Sequence, residues 1–405
     1  MIPRIALPIL RSLAADYPVV TITGPRQSGK TTLCRAAFAD KPYVNLEQPD
    51  VRAFAQDDPR GFLRTYPEGG ILDEIQRAPE LPSYLQAIVD ERPEPGRYIL
   101  TGSEQFEVLN RVSQSLAGRT GILRLLPFSV EEMAGHFPVR PAERLILSGF
   151  YPRIHDRKLD PTRALADYFA TYVQRDLRAL VNVGDLSAFE KFVRLAAGRS
   201  GQLLNLSALG GEAGVSHTTA RKWFSLLEAS YIAFQLPPYY WNTSKRLVKS
   251  PKLYFYDVGL AAYLLGIQNE SHVLSHPLRG ALFETLVVGE ALKWFWHRAR
   301  GAGLHFYRDS EGNEVDLLLE LGDGIYPIEI KTGETVSSEF FKGLRAFARL
   351  YDPPPPNGGA LIYAGDALQS RHGTAVLPFG DLPGLLHRVA DRAPAVRADA
   401  REHDN

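Results

Sequence analysis

Gly24-Pro25-Arg26-Gln27-Ser28-Gly29-Lys30-Thr31 is a run whose residue types and spacing suit phosphate binding. The pattern Gly-x4-Gly-Lys-Thr lets consecutive backbone N–H groups surround a polyphosphate, while the lysine reaches the β and γ oxygens. The Thr31 hydroxyl can ligate magnesium, and Thr32 extends the same turn. Downstream, Ile71-Leu72-Asp73-Glu74 ends an apolar run with two adjacent carboxylates. Asp73 can hold the shell of a magnesium ion and Glu74 can polarise water for attack on a γ-phosphate. Ser103, after Tyr98-Ile99-Leu100-Thr101-Gly102, offers a hydroxyl to sense that phosphate, and Arg119 offers a finger into a neighbouring subunit's nucleotide. A second group of carboxylates comes late in the chain. Glu284, Asp316 and Glu329 with Lys331 follow the order Glu…Asp…Glu-x-Lys. Such a set can bind magnesium on a scissile phosphodiester while the lysine positions water.

These groups work only if the chain folds so as to gather them. Residues 18–23 read as a buried strand entering the phosphate loop, and Lys30 to Ala39 as the helix that leaves it. Apolar runs near Tyr43, Gly70 and Arg97 alternate with helical segments, the signature of a parallel sheet covered on both faces. From Pro161 to Arg199 the pattern is helical, with Leu165, Tyr168, Phe169 and Tyr172 on one stripe. Next, Leu203 to Gly211, a turn at Gly214-Val215 and a helix capped by Ser216 read as a helix–turn–helix. Its second helix buries Ala220, Trp223, Phe224 and Leu227 and leaves His217, Thr218, Arg221 and Lys222 for DNA. Between residues 217 and 252 six bases (Arg221, Lys222, Lys245, Arg246, Lys249, Lys252) face one acid, Glu228, with Tyr239, Tyr240 and Trp241 interleaved. A helix from Leu278 to about His297 and strands near 304–308, 315–321 and 325–331 make a second α/β unit. Glu329 and Lys331 share one strand face, with Ile328 and Ile330 directed to the core.

The motifs Gly24 to Thr32, Val44-Asn45-Leu46-Glu47, Leu72 to Arg77 with Pro79, Leu100-Thr101-Gly102-Ser103 and Leu116-Ala117-Gly118-Arg119-Thr120 followed by Pro127 to Glu131 come in an ordered series. From about Ile5 to about Leu350 the chain resembles archaeal and bacterial AAA+ ATPases that carry a C-terminal restriction-endonuclease-like domain of unknown function. The resemblance implies ATP as the nucleotide with Mg2+, a winged helix at the helix–turn–helix, and a homo-oligomer, a ring (hexameric for preference) or an open assembly, in which Arg119 acts in trans. The late carboxylates resemble the metal-binding positions of the PD-(D/E)XK nuclease fold. The expected organisation is therefore α/β: a P-loop ATPase domain over 1–155, a helical lid over 156–199, a winged helix–turn–helix over 200–270, an endonuclease-like domain over 276–392 and a charged tail over 393–405. An ATP-hydrolysing, DNA-binding motor or remodeller follows, suited to duplex or branched DNA such as Holliday junctions. Its competitors are an ATP-gated, metal-dependent DNA endonuclease and a nucleotide-switched regulator.

Composition narrows the field further. The 405 residues are 45% hydrophobic and 23% charged, a globular balance that excludes a largely disordered, collagen-like or coiled-coil chain. Lys+Arg and Asp+Glu are both 46, so attraction to nucleic acid must come from local patches. The single cysteine, Cys34, makes neither an internal disulfide nor a zinc cluster, and fits a reducing compartment. No signal-like segment or long apolar run appears, so the expectation is a cytoplasmic protein without a membrane span.

Overall fold

A computed structural model describes residues 2–103, 114–138, 141–172, 185–239, 248–322, 324–350, 359–371 and 373–391. Lys245, Arg246, Tyr240, Trp241 and the charged tail lie outside them. The chain forms two compact units, one of residues 1–235 with 253–301, the other of 236–252 with 302–405.

The first unit is built on five parallel strands: β1 (Val19–Thr23), β2 (Tyr43–Asn45), β3 (Gly70–Asp73), β4 (Tyr98–Gly102) and β5 (Thr120–Arg124), in the order β2-β3-β4-β1-β5. Alternation along the strands decides which layer each residue enters. Val19, Leu72 and Leu100 join a core with Leu46, Phe62 and Leu85 on one face. Val20, Ile22, Ile71 and Ile99 join Leu10 and Leu33 on the other. Both faces are dry, which accounts for β-branched runs without polar alternation. Because the strands are parallel, with Val19 paired to Tyr98 and Thr23 to Gly102, the ends that carry Thr23, Asp73 and Gly102 lie along one edge. In a parallel sheet that edge is where ligands bind.

Beyond the sheet the unit is mainly helical. Asp160 and Asp185 cap the helices Pro161–Tyr168 and Leu186–Ala197 through their side chains. Helices Leu206–Ala213 and His217–Ala229 follow, joined through Gly214 at φ 82°, a left-handed conformation that glycine adopts without a Cβ penalty. Two short strands, β6 (Ala233–Leu236) and β7 (Lys252–Phe255), pair with each other. The helix Arg279–Trp296, which the sequence groups with the strands that follow it, belongs by its packing to this first unit.

The second unit holds a six-stranded sheet of β8 (Leu304–Arg308), β9 (Glu314–Leu321), β10 (Gly324–Lys331), β11 (Ala360–Tyr363), β12 (Gln369–Arg371) and β13 (Thr374–Pro378), in the order β12-β13-β11-β10-β9-β8. Strands β8, β9 and β10 form an antiparallel meander, and β11 joins β10 in parallel after the helix Lys342–Leu350. Val315, Leu318, Ile325, Phe347 and Leu361 lie in its core. Residues 236–252 belong here too: the Pro237 carbonyl accepts from Phe306 N–H and Tyr239 N–H donates to the Phe306 carbonyl.

Candidate nucleotide site

Backbone geometry makes the phosphate loop what it is. Gly24 sits at φ 155°, and a Cβ there would lie 2.0 Å from the Leu125 carbonyl oxygen, so no other residue fits. Gln27 also takes a left-handed φ, 63°, and Gly29 at 94° starts the helix Lys30–Ala37. The Lys30 ammonium is buried and donates to the carbonyls of Gly24 and Pro25, each at 2.9 Å, which holds the loop closed around it. Burial lowers the Lys30 pKa, and the charges of Glu74 and Asp73 oppose that shift.

The carboxylates meet this loop from β3. Thr31 Oγ1 donates to Asp73 Oδ2 at 2.9 Å, and Tyr43 donates to the same oxygen at 2.6 Å. Thr101 donates to Asp73 Oδ1. Glu74 turns at φ 59°, a left-handed conformation that swings its carboxylate off the strand line. Its Oε2 accepts from Ser103 at 2.9 Å and from the Gln76 amide. Burial alone would raise the Glu74 pKa. The Lys30 ammonium, these two hydrogen bonds and the Arg26 charge outweigh it and hold the group below the usual carboxylate range. The site therefore has an ionised base beside a serine, opposite a lysine and a Thr–Asp pair. A cleft of about 740 Å³ opens over the loop, lined by Arg26, Lys30, Thr31, Thr32, Glu47, Glu74, Arg153 and Tyr172 among others.

The residues fit a nucleotide carrying magnesium. Ser28 Oγ is buried within the loop without a hydrogen-bond partner, and the Thr31–Asp73 pair has the oxygen donors that magnesium prefers. Arg119 lies elsewhere. It precedes β5 at the Val19 end of the sheet, away from the loop after Thr23, and Asp90 engages it with both oxygens, the second at 2.9 Å. It does not meet the phosphate loop of its own chain.

Sequence reasoning missed the support behind the loop. Buried Arg4 donates to the Ser28 carbonyl at 2.7 Å, to the Leu126 carbonyl at 2.7 Å and to Glu132 at 2.9 Å. Glu132 closes a capping box with Ser129; burial raises its pKa most strongly of any single cause, but the Arg4 charge, together with hydrogen bonds from Arg4 and the Ser129 N–H among others, outweighs it and holds the group at about 2. His297, fully buried, accepts from Leu126 N–H at 3.1 Å, and burial pushes its pKa down to about 3. The one sequence signal was Ser129-x-x-Glu132, a capping-box pattern.

The helix–turn–helix residues are arranged as expected on their own helix. Ala220, Trp223, Phe224 and Leu227 are buried, with Trp223 set edge-on to Phe189 at 5.3 Å and Phe192 at 5.5 Å. His217, Thr218, Arg221 and Lys222 are exposed. Lys252 corrects the basic patch: it is buried in the second unit, ion-paired to Glu314 and 3.9 Å from Asp316.

In that unit Asp316, Glu329 and Lys331 do come together. Lys331 Nζ lies 3.3 Å from Asp316 and 2.6 Å from Glu329, and Ile330 N–H donates to Asp316 at 2.8 Å. Burial and the Asp316 charge push Glu329 up to about 8. Glu284 belongs to the first unit, where Tyr254 donates to it. Among the described residues no group of three His, Cys, Asp or Glu could hold a metal ion. Lys331 and Lys252 lie beside these carboxylates, and Glu329 Oε2 is buried without a hydrogen-bond partner.

Residues 16–134 match the AAA domain family. Residues 139–271 and 279–382 match two domains of unknown function, DUF8612 and DUF4143. The proteins Mb2031c of Mycobacterium bovis and Rv2008c of Mycobacterium tuberculosis are each 32% identical over 331 residues, 81% of this chain and 73% of theirs. The chain belongs to their family. Within the first unit, residues 16–134 form the AAA, P-loop ATPase-like part, and the helical residues that follow match the first of the two domains of unknown function. The Walker-type ATPase PABY2304 of Pyrococcus abyssi is similar at TM-score 0.41 and 16% identity, over 64% of this chain and 94% of its own. AMPPCP-bound DnaA from Aquifex aeolicus is similar at TM-score 0.29 and 15% identity, over 55% and 86%. Among the described residues of this family member no helix is long and apolar enough to cross a membrane.

Proposed function

We propose that the protein hydrolyses ATP and uses the cycle to remodel or move along DNA. The observation that carries the first half is the convergence of Lys30, the Thr31–Asp73 pair and the Glu74–Ser103 pair at one sheet edge. Lys30 exchanges its loop carbonyls for phosphate oxygens. Glu74, ionised at neutral pH, orients water and takes its proton, and Ser103 fixes the Glu74 carboxylate. Magnesium bound by Thr31 and Asp73 would supply neutralisation of phosphoryl charge.

The second half rests on the exposed row His217, Thr218, Arg221 and Lys222, carried on a helix whose opposite face is locked into the core. Arg221 and Lys222 have no ion-pair partner among the described residues, so their charge is available to phosphates. The decisive experiment is an ATPase assay with single-stranded, duplex, forked and four-way DNA. Stimulation by one of these names the substrate, branched DNA such as a Holliday junction being the expected one. Turnover that ignores all four rejects the motor in favour of a nucleotide-switched regulator.

A further inference from the structure

Arg26 lies within the phosphate loop, between Gly24 and Gln27 with their left-handed backbones. Its guanidinium faces the nucleotide cleft, and the contacts that hold it there include an ion pair of 3.5 Å with Glu47 and the Tyr172 ring, 5.4 Å from guanidinium carbon to ring centre. The side chains of the pair are 27% and 42% exposed, so solvent screens the interaction and a polyphosphate with several charged oxygens can displace Glu47. The stacked ring keeps the guanidinium in place as it changes partner. Arg26 acts electrostatically on Lys30 and on Glu74, the two groups that flank the reacting phosphoryl. Arg153 and Arg157 line the same cleft, but Arg26 is the one in the loop itself. Arg119 is at the other end of β1 and bound to Asp90.

We propose that Arg26 is a catalytic residue that neutralises, within its own subunit, the charge that develops on the transferring γ-phosphoryl group. The proposal rests on the ATPase reading above. In the step it assists, the water oxygen bonds to the γ-phosphorus as the bond to the β,γ-bridging oxygen breaks. The bridging electron pair departs on ADP, and the proton of water passes to Glu74. Arg26 donates to the γ oxygens throughout, more strongly as their charge grows.

The test measures turnover and nucleotide affinity separately in the full chain, the latter with a fluorescent ATP analogue. Arg26→Lys and Arg26→Ala should each lower kcat by about a hundredfold or more while affinity stays within roughly fivefold, because the interaction strengthens only in the transition state. Retained binding also shows that the variants fold. Mixing Arg26→Ala with Glu74→Gln protein should restore nothing, since base and arginine must share one chain. Recovery in the mixture, or an unchanged kcat in both Arg26 variants, overturns the assignment and leaves ATP hydrolysis standing. Weakened binding with normal kcat overturns it as well. A wild-type chain that does not hydrolyse ATP removes the ATPase reading, and this inference with it.

Discussion

Glu74 and Lys30 separate two ways of losing turnover. Lys30→Ala removes a charge that contacts phosphate in ground and transition states alike, so nucleotide binding should fall by tenfold or more. Glu74→Gln keeps the shape and the hydrogen bond from Ser103 but cannot take a proton; it should bind ATP as well as the wild type and turn over about a hundredfold slower. Equilibrium binding beside a phosphate-release assay checks both. His297 makes a prediction about pH. It is neutral and buried among Glu132, Arg4 and Lys293, with a pKa near 3 against an ordinary 6.5. The unfolded chain therefore gains a proton below about pH 6.5 that the folded chain refuses until about pH 3, and stability is lost as pH falls through that window. The slope is about 1.4 kcal/mol per pH unit from this group. Thermal melts at pH 7 and pH 5 should show a smaller drop for His297→Gln than for the wild type. A steeper drop in the variant would contradict the neutral imidazole.

At the scale of elements, the helix His217–Ala229 has two faces that fail differently. Trp223→Ala empties the space against Phe189 and Phe192 and should destabilise the first unit by about 3–5 kcal/mol. Arg221→Ala with Lys222→Ala should leave the melt unchanged, weaken DNA binding and flatten its salt dependence by about one unit of slope per phosphate contact removed. Binding titrations at several salt concentrations decide it. This helix was legible from sequence because its apolar period, its Ser216 cap and the Gly214 turn are all local. The phosphate loop and Asp73-Glu74 were legible for the same reason, as short runs whose spacing is their chemistry. Arg4 was not: its partners Ser28, Leu126 and Glu132 come from three distant stretches, and no spacing announces a buried guanidinium. Lys252 misled in the opposite direction. A lysine among other bases reads as solvated patch, whereas β9 supplies Glu314 and Asp316 to pair it inside the fold.

For the molecule as a whole, ATP turnover should rise with the DNA it prefers, and Arg221→Ala with Lys222→Ala should blunt that rise without altering the basal rate. The covalent path of the chain has a practical result of its own. It passes from the first unit to the second after Gln235, returns at Leu253, and leaves again after Gly301. The second unit is therefore discontinuous in the gene. A fragment begun at residue 279, where the family match starts, or at residue 302 lacks the stretch that bonds to both the N–H and the carbonyl of Phe306 and the ammonium that pairs with Glu314. Such a fragment should express as a sticky, partly folded protein with an open β8 edge. Supplying residues 236–252 as a separate peptide, or fusing them ahead of residue 302 through a flexible linker, should restore a sharp melting transition, and anyone dissecting this protein must cut it in three places rather than one.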